Sequence, residues 1–87
     1  MKEIYKKAIE KFGVDGQFLK AAEECNELSK ELIKTVNTRE AQNITEEIAD
    51  VEIMLEQLKI IFDKEIIKEI KNKKLKRLKN RLKEVED

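Results

Sequence analysis

The sequence predicts an all-α fold built on an antiparallel helical hairpin, and three observations carry that expectation. The chain of 87 residues has no proline and two glycines, the two residues that interrupt helices most strongly. Charged residues make up 44% and aromatic residues 5%, and the dominance of Lys, Glu, Ile and Leu is the composition of helices packed on helices. The apolar residues recur at three- and four-residue spacing along almost the whole chain. The length suits one helical domain, 1–87, small enough that association of copies is the expected supplement to its core.

Taken in order, Ile4, Tyr5, Ala8, Ile9 and Phe12 mark a short amphipathic helix over 2–12, ended by Gly13-Val14-Asp15-Gly16. Asp15 is the expected N-cap of a second helix from about Gly16 to Val36. Its apolar stripe is Phe18, Ala22, Cys25, Leu32 and Val36, with Ala21 and Leu28 on the edge. Asn37-Thr38 is a polar break. A third helix is expected from about Arg39 to Phe62, with Ile44, Ile48, Val51, Met54, Leu55, Leu58, Ile61 and Phe62 on a broad apolar face. Ala49, Ile53 and Ile60 form a second, narrower strip, read either as a subunit contact or as the seat of the N-terminal helix. Asp63 caps a last helix from about Lys64 to Glu84, whose Leu75, Leu78, Leu82 and Val85 repeat as a heptad-like seam. Lys73, Lys74, Arg77 and Arg81 flank that seam, and Asn72 is a candidate kink.

Several chemistries are excluded at once. The chain has no histidine, which removes Ser/His and Cys/His catalysis, most zinc sites and the Glu-x-x-His di-iron bundle. It has no Gly-rich phosphate loop. Cys25 is the single cysteine, so no internal disulfide is expected, a reducing cytoplasm is the natural setting, and a small core residue is the natural role. No apolar run approaches a membrane span and no signal peptide is visible, so a membrane is not an expected partner.

Formal net charge is zero, but the signs are segregated. Ten acidic residues face three basic ones between Ala21 and Glu56, and ten basic residues face two acidic ones between Lys64 and Lys83. Two acidic clusters stand out in the first zone, Glu23-Glu24-Cys25-Asn26-Glu27 and Glu46-Glu47-Ile48-Ala49-Asp50. If the chain reverses near Asn37, Glu24 and Glu27 precede the turn by the same number of residues by which Glu47 and Asp50 follow it. At about 1.5 Å per residue, an antiparallel hairpin brings these four carboxylates to one level. Glu47 moreover projects between Met54 and Leu58 on the apolar face, with Asp50 at its margin, and no Lys or Arg occurs between Glu40 and Gln57. Desolvated carboxylates need compensation. A hard cation, Mg²⁺ or Mn²⁺ in its place, suits oxygen-only ligands, and metal-assisted hydrolysis at a phosphate is the reaction class that fits. Lys and Arg of the last helix are then partners for the phosphates.

The pattern Glu23-Glu24-x-x-Glu27, followed after nineteen residues by Glu47-x-x-Asp50, resembles the EExxE…ExxD signature of the MazG-like all-α nucleoside triphosphate pyrophosphohydrolases. The apolar run Val51 to Leu58 and Lys74-x-x-Arg77 resemble the short single-domain members of that superfamily. The resemblance covers about Gly13 to Arg81. It implies hydrolysis of a nucleoside triphosphate between the α and β phosphates, with Mg²⁺, to a monophosphate and pyrophosphate. It implies Glu24, Glu27, Glu47 and Asp50 as metal ligands within a catalytic set that also holds Glu23, acting from behind the ligands. Lys74 and Arg77 are implied as phosphate contacts, from the same or a neighbouring subunit. It further implies a homodimer or homotetramer in which a four-helix-bundle-like core is completed between chains. The histidine and tryptophan that some relatives place around the base are missing, and the resemblance assigns no base.

A second function stands beside this one: a non-catalytic helical interaction module whose basic last helix binds nucleic acid or an acidic partner. The nucleic-acid version is disfavoured, because the basic residues lack aromatic interleaving. An acid on an apolar face, Glu47, separates the two readings.

Overall fold

The computed structural model describes residues 2–86, with side chains described as far as Lys83, and among these residues it holds four α-helices and no strand. They are α1 (Lys2–Phe12), α2 (Val14–Thr38), α3 (Ile44–Ile61) and α4 (Lys64–Glu86). A single residue, Gly13, separates α1 from α2. Its φ of 81° lies in the region that favours glycine, its N–H donates to the Ile9 carbonyl at 2.8 Å, and its carbonyl accepts from the Gln17 N–H at 3.1 Å. The cap position of α2 is therefore Gly13. Asp15 lies inside the first turn instead of capping it, where its charge still faces the positive end of the helix dipole.

The reversal between α2 and α3 is longer than the sequence suggests. Arg39 adopts a left-handed conformation (φ 63°, ψ 22°) and donates its N–H to the Thr35 carbonyl at 2.7 Å, a helix-ending geometry. The Glu40 N–H then turns to Thr38 Oγ1 at 3.2 Å. Residues 39–43, expected as the start of a helix, are loop, and α3 begins at Ile44. The expectation for α4 holds at its start. Asp63 Oδ1 accepts from the backbone N–H of Glu65 at 2.9 Å and of Ile66 at 3.3 Å, two of the donors a helix start leaves open. The helix runs without interruption through Asn72.

α2 and α3 form the principal pair, and they are antiparallel. Phe18 near the start of α2 stacks on Phe62 beyond the end of α3, with ring centroids 5.7 Å apart and planes 10° from parallel, while Glu24 further along α2 meets Glu47 near the start of α3. α1 packs on both helices. Among the described residues α4 packs against α3 and not against α2.

The face of α2 that meets α3 differs from the expected stripe. Gln17 and Ala21 are buried and Glu24, Leu28 and Glu31 half-buried, whereas Ala22, Cys25, Leu32 and Val36 are exposed. Cys25 is thus a surface thiol and not a core residue. On α3 the buried line runs through Glu47, Val51, Met54 and Leu58, and Ile48, Leu55 and Phe62 are left exposed. Ala21 of α2 and Met54 of α3 are the only apolar residues buried among those described, at 6% and 5% exposure. The second strip of α3 divides: Ile60 is half-buried in a cleft shared with Tyr5 of α1, and Ala49 and Ile53 remain exposed. In the seam of α4, Leu75, Leu78 and Leu82 are exposed, and the side chain of Val85 lies outside the described residues.

With so few buried residues the shape is extended, 52 × 36 × 21 Å with a radius of gyration of 16.3 Å, against about 12 Å for a compact domain of this length. The contact at Met54 should accordingly dominate stability. Met54→Ala is expected to cost about 2–5 kcal/mol, whereas Leu19→Ala, at a side chain 73% exposed, should stay within about 0.5 kcal/mol. Urea denaturation of the two variants measures both.

Candidate metal centre

Carboxylates from two helices converge on the α2–α3 seam. Glu24 comes from the middle of α2, and Glu47 and Asp50 project from successive turns of α3. One oxygen from each lies within 4.8 Å of the other two, a spacing that a single cation can bridge. Glu24 and Glu47 are half-buried and Asp50 is exposed, so the set opens to solvent on the Asp50 side. Their convergence follows from helix periodicity: Glu47 and Asp50, three residues apart, share a face, and the antiparallel pairing sets Glu24 opposite them.

The electrostatics of the set are unbalanced. Glu47 Oε2 is buried with no hydrogen-bond partner among the described residues. Burial pushes its carboxyl above the usual value of 4.5, and the charges of Asp50, Glu24, Glu27 and Glu31 push it further. Neither Glu47 nor Asp50 is in an ion pair among the described residues. Lys20 is the nearby counterion, with Nζ 3.1 Å from Glu24 and 3.9 Å from Glu23. The hydrogen bond to Glu24 and the charge of Glu23 raise its pKa above 10.5. One lysine, itself half exposed, leaves most of the negative charge uncompensated. An orphaned buried oxygen within an oxygen-only donor set is what a hard divalent cation fits.

The other residues singled out in the sequence fall in different places. Glu27 is half-buried one turn from Glu24, acts electrostatically on Glu47 and pairs with Lys30 at 3.8 Å, but it is outside the closest group of three. Glu23 points away, 62% exposed, toward Lys20. Lys74 and Arg77 are exposed on α4, which makes no contact with α2 among the described residues, so these residues of α4 do not close over the acids within one chain.

Glu31 was missed. Its Oε2 is also buried without a partner among the described residues, and its charge bears on Glu47. The spacing held the signal, since Glu24, Glu27 and Glu31 repeat at three and four and must share a face of α2. Lys20, four residues before Glu24, carried the corresponding signal for an i,i+4 pair.

The raised Glu47 carboxyl sets the sign of a pH effect. Its contribution to metal-free stability is fully present below the ordinary value of 4.5 and is lost as pH rises through the raised folded value. Metal-free Glu47→Gln should therefore melt above the wild type at neutral pH, with the gap closing as pH falls toward 4.5. Melting followed by circular dichroism across that range, with chelator present, tests it. A search of protein-family models, curated proteins and solved structures finds no match to this chain, and any functional reading rests on its residues and their geometry.

Proposed function

We propose that the chain is a Mg²⁺-dependent nucleotide pyrophosphohydrolase, with Mn²⁺ able to replace Mg²⁺, that cleaves an NTP or dNTP between its α and β phosphates. The observation that supports this best is the gathering of Glu24, Glu47 and Asp50 oxygens within 4.8 Å around a buried Glu47 Oε2 with no protein partner among the described residues. Glu24, Glu47, Asp50 and the adjacent Glu27 would hold the ion. The ion supplies charge neutralisation at the phosphate oxygens and a more acidic water.

The chain's own residues do the rest. Water attack on the α phosphorus forms one P–O bond and breaks the bond to the bridging oxygen, releasing pyrophosphate and a monophosphate. A carboxylate of the acidic set takes the water's proton, as a positioned general base. Glu23 would act from behind by holding Lys20, 3.9 Å away, and Lys20 would contact a phosphate beside the carboxylates. Lys74 and Arg77 contact the phosphates as charge-assisted donors from a neighbouring copy, a reading supported by the separation of α4 from α2.

A homodimer or homotetramer that completes a four-helix-bundle-like core fits the same surface. Ile33, Val36 and Ile53 are all exposed, more apolar side chain than a small monomer leaves open without a purpose. A cytoplasmic setting suits the free surface thiol of Cys25, and no helix among the described residues is long and apolar enough to cross a membrane.

One observation favours the second reading, a non-catalytic module: α4 stands clear of α2 with Ile66, Ile70, Leu75, Leu78 and Leu82 exposed among its basic residues. Such a face suits an acidic helical partner. It leaves the buried acids of α2 and α3 without a role.

A panel of nucleoside triphosphates with Mg²⁺, assayed for pyrophosphate against orthophosphate, decides between them. Pyrophosphate release is expected, with Glu47→Gln and Asp50→Asn lowering turnover at least about 100-fold, beyond the loss typical of residues behind metal ligands. Lys74→Ala or Arg77→Ala should cost about tenfold or more in kcat/KM, the worth of a hydrogen bond to a charged group, with helix content unchanged. Mg²⁺ at a hundredfold excess over its Kd should stabilise the wild type by about 2.7 kcal/mol, and not the two acid variants. No hydrolysis of any nucleotide and no metal shift would end the enzymatic reading. Sedimentation is expected to show a dimer or tetramer, and a 10.3 kDa species at high concentration would remove the shared core.

A further inference from the structure

A cavity of about 550 Å³ opens between α1, α2 and α3 beside the acids, within the size range of small-molecule sites, about 300–1,000 Å³. Its apolar lining comes from Ala8, Phe12 and Met54, and its polar lining from Gln17, Gln57 and Lys20. Two features are unusual for such a sparse core. Gln17 and Gln57 are the only buried polar residues among those described, at 4% and 6% exposure, and Gln57 Oε1 has no hydrogen-bond partner among the described residues. Leaving a buried amide oxygen unsatisfied costs free energy that a methionine of similar shape would not incur. An apolar residue would pack this position better, so the amide at position 57 suits a ligand that pairs with it.

We propose that this cavity binds the nucleobase of the nucleotide, with Gln57 and Gln17 pairing to its hydrogen-bonding edge and Phe12 and Met54 covering its faces. The cavity is argued from its own lining, and naming the ligand a nucleotide rests on the hydrolase reading above. A glutamine side chain offers one acceptor and one donor side by side, and its terminal amide turns to present either. That is the complement of an N–H next to a ring nitrogen or carbonyl, the arrangement on the pairing edge of a base. Lys20 gives the orientation. It lines the cavity and reaches Glu24 at 3.1 Å, so a ligand with its base in the cavity runs its phosphates past Lys20 to the carboxylates.

Gly16 keeps this cavity open. It lies in α2 at a helical position, and a Cβ there would meet only Phe12 Cβ, at an ordinary 3.6 Å. A larger side chain at 16 can therefore fill space next to Phe12 without displacing backbone. Helix propensity favours the change.

The test uses the full chain and phosphate-free nucleosides, which need no metal and no catalysis. The common ribo- and deoxyribonucleosides are titrated into wild type, Gln57→Met and Gly16→Leu, with chemical shifts of Phe12, Gln17 and Gln57 as readout. The same nucleosides methylated on the pairing-edge nitrogen serve as controls. At least one nucleoside should shift these resonances in the wild type, and its methylated form should not. Both variants should lose the response while melting no lower than wild type. In turnover, the ratio of kcat/KM between the best and worst base should fall roughly tenfold to a hundredfold in Gln57→Met, the discrimination a two-point pairing provides. No nucleoside response in the wild type, or a response that persists in both variants or with the methylated forms, overturns the proposal. Hydrolysis with an unchanged base ratio in both variants also overturns it while leaving the hydrolase reading intact. Nucleoside binding that both variants abolish, in a chain that hydrolyses no nucleotide, upholds the cavity and overturns the hydrolase reading.

Discussion

Repulsion among carboxylates in the seam between α2 and α3 is the constraint around which the rest of the molecule is arranged. Glu24, Glu31 and Glu47 are all half-buried there, with Asp50 at the margin, and Lys20 is the single cation that pairs with this set among the described residues. Like charges at this spacing oppose the very helix pairing that creates them. The pairing is held instead by burial of Ala21 and Met54 and by the Phe18–Phe62 stack at the far end. A fold under that tension gains from any species that neutralises the seam. This links the small core to the proposed metal binding without reference to any relative.

The same pairing explains the unusual surface. Because α2 turns its acidic face inward, its apolar stripe of Ala22, Cys25, Leu32 and Val36 faces out, and α3 leaves Ile48, Ile53 and Leu55 exposed in the same way. α4 adds a row of leucines among lysines and arginines. A chain that buries so little apolar surface by itself has little to set against its conformational entropy. Association between copies is the physical route by which such helices reach a stable core. In the proposed oligomer a neighbouring α4 would bring basic residues toward the acids, from which α4 of the same chain stands apart among the described residues.

Lys20 joins the acids and the cavity into one continuous path. It stands one turn after Gln17 and one turn before Glu24 on the inward side of α2, touching the cavity at one end of its reach and a carboxylate at the other. An elongated ligand with a planar polar head and an anionic tail matches that path in order: amides and an apolar wall, then a lysine, then the carboxylate set.

The sequence by itself determined the helices and their order. Periodicity marked α1 residue for residue and α4 from its Asp63 cap, because local spacing and a side-chain acceptor are enough to start a helix. Counting from Asn37 put Glu24 level with Glu47 and Asp50, as rise per residue is fixed in any helix, and the three do meet, although the loop itself lies at 39–43, much nearer in sequence to Glu47 than to Glu24. Which face α2 buries was not legible. A helical wheel ranks positions by apolarity, and on that ranking Ala22, Cys25 and Leu32 should have faced α3 together with Phe18, which does so through Phe62. Packing ranked the others by fit instead, burying the small Ala21 and carrying Gln17, Glu24 and Glu31 inward with it. The start of α3 was equally hidden, because the left-handed turn at Arg39 belongs to a residue with no sequence preference for it. Gln17 and Gln57 are polar residues that only the tertiary structure encloses. Their burial is a property of three helices meeting, and no single helix encodes it.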